Sequence, residues 1–280
     1  MKKLIYIIFL MFFFKVNAQD SLVFKMKYLP DHKYKSVFEM HNNIALNLKG
    51  SKVEIDKLKA EGIQSPMGIV GETSTEYTIE TGATTKSGIF PATIIYESII
   101  SKQFLNNKEL SLPKNSLSGK KIYAHSNGND MLSIDSISDN KDNDNLLSSV
   151  STMFKRINKK INFPEKKIKI GESFTQEIPM TLPLIGNNAT TMVKVIYKLI
   201  EIKDEQGVFD IVQSANINMN TQQGDVNITG NGTGKLIFSI KNKFPVQYET
   251  DIILNFTLNL NGTTADGSGK ISADFNTEIN

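Results

Sequence analysis

Thr190-Thr191-Met192-Val193-Lys194-Val195-Ile196-Tyr197-Lys198-Leu199-Ile200-Glu201-Ile202 runs into a turn at Asp204-Glu205-Gln206-Gly207. It returns as Val208-Phe209-Asp210-Ile211-Val212-Gln213-Ser214-Ala215-Asn216-Ile217-Asn218-Met219. Apolar residues recur at every second position on both sides of the turn. That period places one set of side chains on one face of a strand and the polar set on the other. Each arm is about twice the usual strand of roughly five or six residues. Long arms joined by a short turn point to a large curved antiparallel sheet or an open barrel, and a sandwich of short strands fits less well.

The same period governs most of the chain. Ile44, Leu46 and Leu48 alternate with Ala45, Asn47 and Lys49, and Val53 with Ile55 resumes the pattern after Gly50-Ser51. Thr73 to Glu80, Ile89 to Leu105 and Val246 to Leu260 read as strands. Phe24, Met26 and Tyr28 alternate with Lys25 and Lys27 as one more. Asn127-Gly128 between two extended runs signals a hairpin. Residues 60–71 and 261–269, rich in Gly, read as loops. No regular strand–helix alternation exists to build a parallel α/β fold.

One stretch changes period. Leu146, Val150, Met153, Ile157 and Ile161 step by four, three, four and four, and Leu147 and Phe154 widen the stripe. This predicts an amphipathic helix over residues 143–160. Asp142 and Asp144 stand at its start and Lys155, Arg156, Lys159 and Lys160 at its end, complementing the helix dipole. The expected fold is therefore mainly β: long antiparallel strands in one curved sheet or open barrel, with one amphipathic helix near the middle. The expected organisation is one continuous domain, with an N-terminal β half over 19–141, the helix at 142–162 and a C-terminal β half over 163–280. An offset of 140 sets Tyr28–Tyr34 over Ile168–Phe174. Two related β halves are one reading of that echo, and two unrelated hairpins the other.

Residues 1–18 read as an export leader. Lys2 and Lys3 precede the apolar run Leu4–Phe14, and Val16-Asn17-Ala18 offers small residues to a signal peptidase. The run is shorter than the roughly 20 residues of a membrane span. The expected location is thus exported, periplasmic or extracellular, with no cysteine to carry a lipid anchor. The 32 basic residues include Lys2, Lys3 and Lys15, so the chain after the leader holds 29 basic against 29 acidic residues. That balance argues against a polyanion partner, nucleic acid included.

Catalytic signatures are missing from the sequence. His32, His41 and His125 follow no ligand spacing, and no Gly-X-Ser-X-Gly pentad occurs. Gly230–Lys235 and Gly267–Lys270 lack the spacing of a phosphate loop and read as hairpin turns. Asp139–Asp144 lacks the Gly and distal Glu of a calcium loop and reads as a solvated helix cap. No catalytic residue, metal or cofactor is assigned. Without Trp, a sugar platform would rest on Tyr and Phe alone.

Two phrases carry a resemblance. Asn162–Phe174 reads as a Pro, a basic-hydrophobic strand, then Gly-acid-Ser-aromatic, and Gly232–Phe238 leads into a long amphipathic strand. Both resemble an uncharacterised, domain-of-unknown-function family of exported all-β proteins from Bacteroidota. That family commonly has Trp where Phe174 stands. The resemblance implies a β fold and brings no site residues.

Three functional readings stay open. In the first, a non-catalytic binding protein holds a hydrophobic or lipid-like ligand inside the sheet, with Leu146, Val150, Met153, Phe154 and Ile157 of the helix as lid contacts. In the second, an envelope module with a filled core binds a protein partner. In the third, the sheet is an outer-membrane barrel, with Leu254, Phe256, Leu258 and Leu260 facing lipid. The basic end of the helix (Lys155, Arg156, Lys159, Lys160) is suited at most to peripheral contact with an anionic membrane surface.

Overall fold

A computed structural model describes residues 21–60, 65–112, 117–126, 131–138, 147–148, 150–151, 161–184, 187–221, 224–260 and 263–280. Residues 1–18, read above as an export leader, lie outside them. The strands are β1 (Ser21–Leu22), β2 (Lys33–Lys49), β3 (Met67–Thr81), β4 (Pro91–Leu105), β5 (Lys108–Glu109), β6 (Lys121–Ser126), β7 (Leu132–Ile137), β8 (Ile168–Lys169), β9 (Ser173–Leu184), β10 (Asn187–Lys203), β11 (Gln206–Thr221), β12 (Gly224–Ser239), β13 (Phe244–Leu260) and β14 (Thr263–Ile279). The helix α1 spans Lys52–Ala60.

One 12-stranded antiparallel sheet holds all but β1 and β8, which pair with each other. Its order is β9-β10-β11-β12-β13-β14-β2-β3-β4-β6-β7, with β5 folded back on β4. Every neighbouring pair is consecutive in sequence except β14 with β2, and β4 with β6. The sheet is thus a meander that starts in the middle of the chain, runs to the C-terminus, and continues from the N-terminal strands. Backbone hydrogen bonds between Lys33 and Asn280 (2.8 and 3.0 Å) fasten that junction.

The two halves share a local design at the offset of 140. Asp31 (φ 57°) and Gly171 (φ 89°) each hold a left-handed turn two residues before β2 and β9 begin. Asp31 N–H donates to Gly82 O (3.2 Å), and Gly171 N–H to Leu199 O (2.7 Å). The carbonyls of His32 and Glu172 then accept from Thr81 and Leu199. β2 to β7 and β9 to β14 follow in the same direction across the sheet.

Alternation decides the faces. Val193, Val195, Tyr197 and Leu199 of β10 are buried, as are Phe209, Ile211, Gln213, Ala215 and Ile217 of β11. The partner positions Lys194, Lys198, Asp210 and Asn216 are exposed. Leu254, Phe256 and Leu258 belong to the buried set. This corrects the barrel reading: those residues face the interior rather than lipid.

Three further expectations need correction. Phe24–Tyr28 is not a strand of the sheet. It is an extended strap laid on the buried face, with Lys27 N–H donating to Lys243 O (2.9 Å). Residues 263–269 are not a loop but the start of β14, and Gly230–Lys235 lies in mid-strand in β12, so neither glycine run is a turn. The turn between β10 and β11 is tighter than Asp204–Gly207: only Asp204 and Glu205 form it, both with positive φ, as a type I′ hairpin requires.

Residues 52–60 form a helix where Val53 and Ile55 suggested strand. The cause is a capping box, Ser51-Lys52-Val53-Glu54. Glu54 N–H donates to Ser51 Oγ (3.3 Å), and Glu54 Oε2 accepts from Ser51 N–H (2.9 Å) and Oγ (2.7 Å). These bonds hold the Glu54 carboxyl below its ordinary range. Its folded value is the lower one, so its support of the helix is present at neutral pH and is lost as pH falls through that value. Replacing Ser51 by Ala is expected to cost α1 about 1 kcal/mol. Faster amide exchange at Glu54 and Ile55, with the global melt unchanged, is the readout.

Candidate functional site

The strands dictate the chemistry of the interior. Inward positions on β2 are Tyr34, Ser36, Phe38, Met40, Asn42, Ile44, Leu46 and Leu48. Their partners on β14 are Ile279, Thr277, Phe275, Ala273, Ile271, Gly269, Gly267 and Ala265. None is charged. The same holds for the described inward positions of β3, β4 and β9 to β13, where Lys, Asp and Glu stand only at the alternate, outward positions. Outside, they pair across strands, as Lys49 with Asp266 (2.7 Å) and Lys270 with Asp251 (2.9 Å). The interior is thus a continuous uncharged surface spanning the sheet.

The strap fills one part of it. Phe24 meets Phe163 (centroids 5.6 Å), Phe209 (4.9 Å) and Phe238 (5.6 Å). A Cβ on Gly207 would strike the Phe24 ring, so that glycine makes room for it. Tyr28 packs on Tyr34 and Phe244 in a second cluster. The connection from β7 to β9 joins the two opposite edges of the sheet, and its described parts touch both clusters. Leu147 and Val150, which are helical, pack in the cluster of Tyr28 and Tyr34, while Ile161 and Phe163 pack with Phe24. Val150 is therefore buried among the chain's own side chains. Leu146, Met153, Phe154 and Ile157, and the basic Lys155, Arg156, Lys159 and Lys160, lie outside the described residues.

Between the clusters the interior stays within reach of solvent. Phe38, Met40 and Asn42 of β2, Thr73 and Thr75 of β3, and Ile271 of β14 point inward yet are only half-buried. The sheet ends in two edges, β7 and β9, several strands to either side of this belt. Pro179 and Pro183 lie within β9 and leave that edge strand two residues without an N–H, which opposes closure onto another strand.

Elsewhere on the inward face, on β10, β11 and β13, sits a polar cluster that the sequence reading missed: Tyr197, Gln213 and Tyr248. Gln213 Nε2 donates to Tyr248 Oη at 3.4 Å. Burial raises the Tyr248 phenol, against the lowering effect of Thr250, Tyr197 and Gln213. Burial, then the adjacent Tyr248, raises Tyr197 further. Gln213 did carry a signal, as the one amide in the apolar column Phe209, Ile211, Gln213, Ala215, Ile217.

Among the described residues, no group of three or more His, Asp or Glu is placed to hold a metal ion, and no helix is long and apolar enough to cross a membrane. No family model and no curated protein matches the chain, so the resemblance to exported Bacteroidota β-proteins stays an expectation. The solved type II secretion system secretin GspD of E. coli K12 is similar over 89% of this chain at 6% identity, with a TM-score of 0.19. The chain spans about half (49%) of that protein, and a score this low carries no argument.

Proposed function

We propose that this is an exported, non-catalytic binding protein that holds a hydrophobic or lipid-like ligand against the concave face of its sheet. The observation that carries the reading is the belt at Phe38, Met40 and Ile271: large apolar side chains aimed into an uncharged interior, yet half-open to solvent. An apolar ligand there would remove their remaining surface from water, worth roughly 25 cal/mol per Å². Native mass spectrometry of detergent-free protein, with uptake of an environment-sensitive naphthalene dye, tests it. We expect a bound mass or saturable dye uptake, abolished by Met40→Glu with the fold retained. A clean apo mass with no dye uptake overturns it.

A second reading is an envelope interaction module with a filled core. The aromatic packing of Phe24 and Phe163 favours it, because the chain itself occupies that part of the interior. A stoichiometric protein partner, together with failure of the dye to enter, would select it.

A further inference from the structure

The outward face of β11, β12 and β13 changes character along the strands. Toward the β10–β11 turn it is charged: the register sets Asp210 beside Lys235, then Glu249, then Asp274 of β14. Toward the other end of the same strands, charge gives way to amides and hydroxyls. Asn218 lies opposite Asn227 and then Thr257, while Asn216 lies opposite Thr229 and then Asn255. Asn231 stands in the next row, beside Ile253. All of these are exposed except Thr257, which is half-buried and gives its hydroxyl to Asp266. Charge returns at the rim, at Asp225 and at Asp266, and the latter is paired with Lys49 (2.7 Å).

Solvation alone does not account for this composition. Asn is depleted in strands, and a face that only meets water gains solubility from mixed charge. Here Asn occupies outward positions on three adjacent strands. Each amide offers one acceptor oxygen and two donor hydrogens, and each hydroxyl offers both roles. The region has no charge to hold an ion. It also has no aromatic or Arg anchor of the kind that dominates protein interfaces, and Ile253 is its one large apolar side chain.

The side chains form a lattice of about 4.8 Å between strands and about 6.7 Å between alternate residues of one strand. A single neutral hydrogen bond exchanged with water is worth only about 1 kcal/mol. Such a lattice holds a partner when the partner repeats too, so that many weak contacts act together. From the matching of neutral donors and acceptors, we infer that the outward region around Asn216, Asn227, Asn231 and Asn255 binds a neutral polysaccharide. The hydroxyls of successive sugar units exchange hydrogen bonds with successive amides. This surface is independent of the interior, because side chains on opposite faces of the sheet share no contact.

The test is depletion of the full-length protein from solution by microcrystalline cellulose, chitin beads and cross-linked dextran, read as the ratio of bound to free protein. Saturable retention on at least one of them is expected, with weaker retention on the carboxymethylated form of the same matrix. Asn231→Asp and Asn255→Asp keep the side-chain shape and bring in charge. Each is expected to lower the ratio about fivefold, the worth of one hydrogen bond, with the melting midpoint unchanged. Glu249→Gln, in the charged region of the same face, is expected to leave the ratio unchanged. No retention on any of the three matrices, equal retention on the carboxymethylated form, or full retention by the Asn231→Asp, Asn255→Asp double variant each overturns the inference. Dimerisation that this double variant abolishes, without retention on any matrix, assigns the face to a second copy of the chain and likewise overturns it.

Discussion

Phe24→Ala is expected to destabilise the protein by about 4 kcal/mol, the range for truncating a fully buried Phe. For a chain of this size that corresponds to a fall of about 10 °C in the melting midpoint. The effect is large because this ring joins elements far apart in sequence. It stacks on Phe163 of the crossing connection and meets Phe209 and Phe238 of β11 and β12 edge-on. Its removal leaves a cavity over Gly207, which has no side chain to fill it. The strap is then held chiefly by Tyr28 and by the Lys27–Lys243 backbone bond, so exchange at the Lys27 amide should rise with the global loss. A change under 1 kcal/mol would mean that the strap does not close the interior.

Gly232→Val is expected to cost about 3 kcal/mol or to prevent folding, through overpacking that cannot relax. A Cβ at this position meets the Asp251 carbonyl and lies 3.0 Å from Ile252 Cα, both backbone atoms of the neighbouring strand β13. Gly234 meets the Glu249 carbonyl in the same way, and Gly230 the Ile253 carbonyl. Strand interiors use glycine at close backbone approach and tight bends, and at all three positions of this column a Cβ would meet a backbone carbonyl of β13. The control is Asn231→Val, one residue away on the outward face, which should stay within about 0.5 kcal/mol. Urea unfolding of the two variants separates the faces; equal effects would remove the glycine column as a device of curvature.

Much of the architecture was legible because strand alternation is local. Each arm from Thr190 to Met219 reports its own faces, and the long antiparallel pairing follows from the turn between them. The left-handed turns at Asp31 and Gly171 likewise match the echo read at an offset of 140. The helix at Lys52–Ala60 was legible too, but Val53 and Ile55 sit two apart and mimic a strand, while the deciding signal was the Ser51–Glu54 box. The glycine runs misled for a different reason. Glycine marks a turn when the chain reverses and a bend when a neighbouring strand crowds it, and only the neighbour distinguishes the two.

By itself, the sequence determined which side chains face inward and that none of those described carries a charge, since side-chain parity along a strand needs no distant partner. Tertiary structure alone decided that β14 closes on β2, that the strap of Phe24 and Tyr28 covers part of the interior, and that Gln213 meets Tyr248 beside Tyr197. Those contacts join residues 35 to more than 200 positions apart, through register set by strands that find each other only on folding. No local pattern encodes a meeting of that kind, because its free energy comes from burying two distant surfaces together.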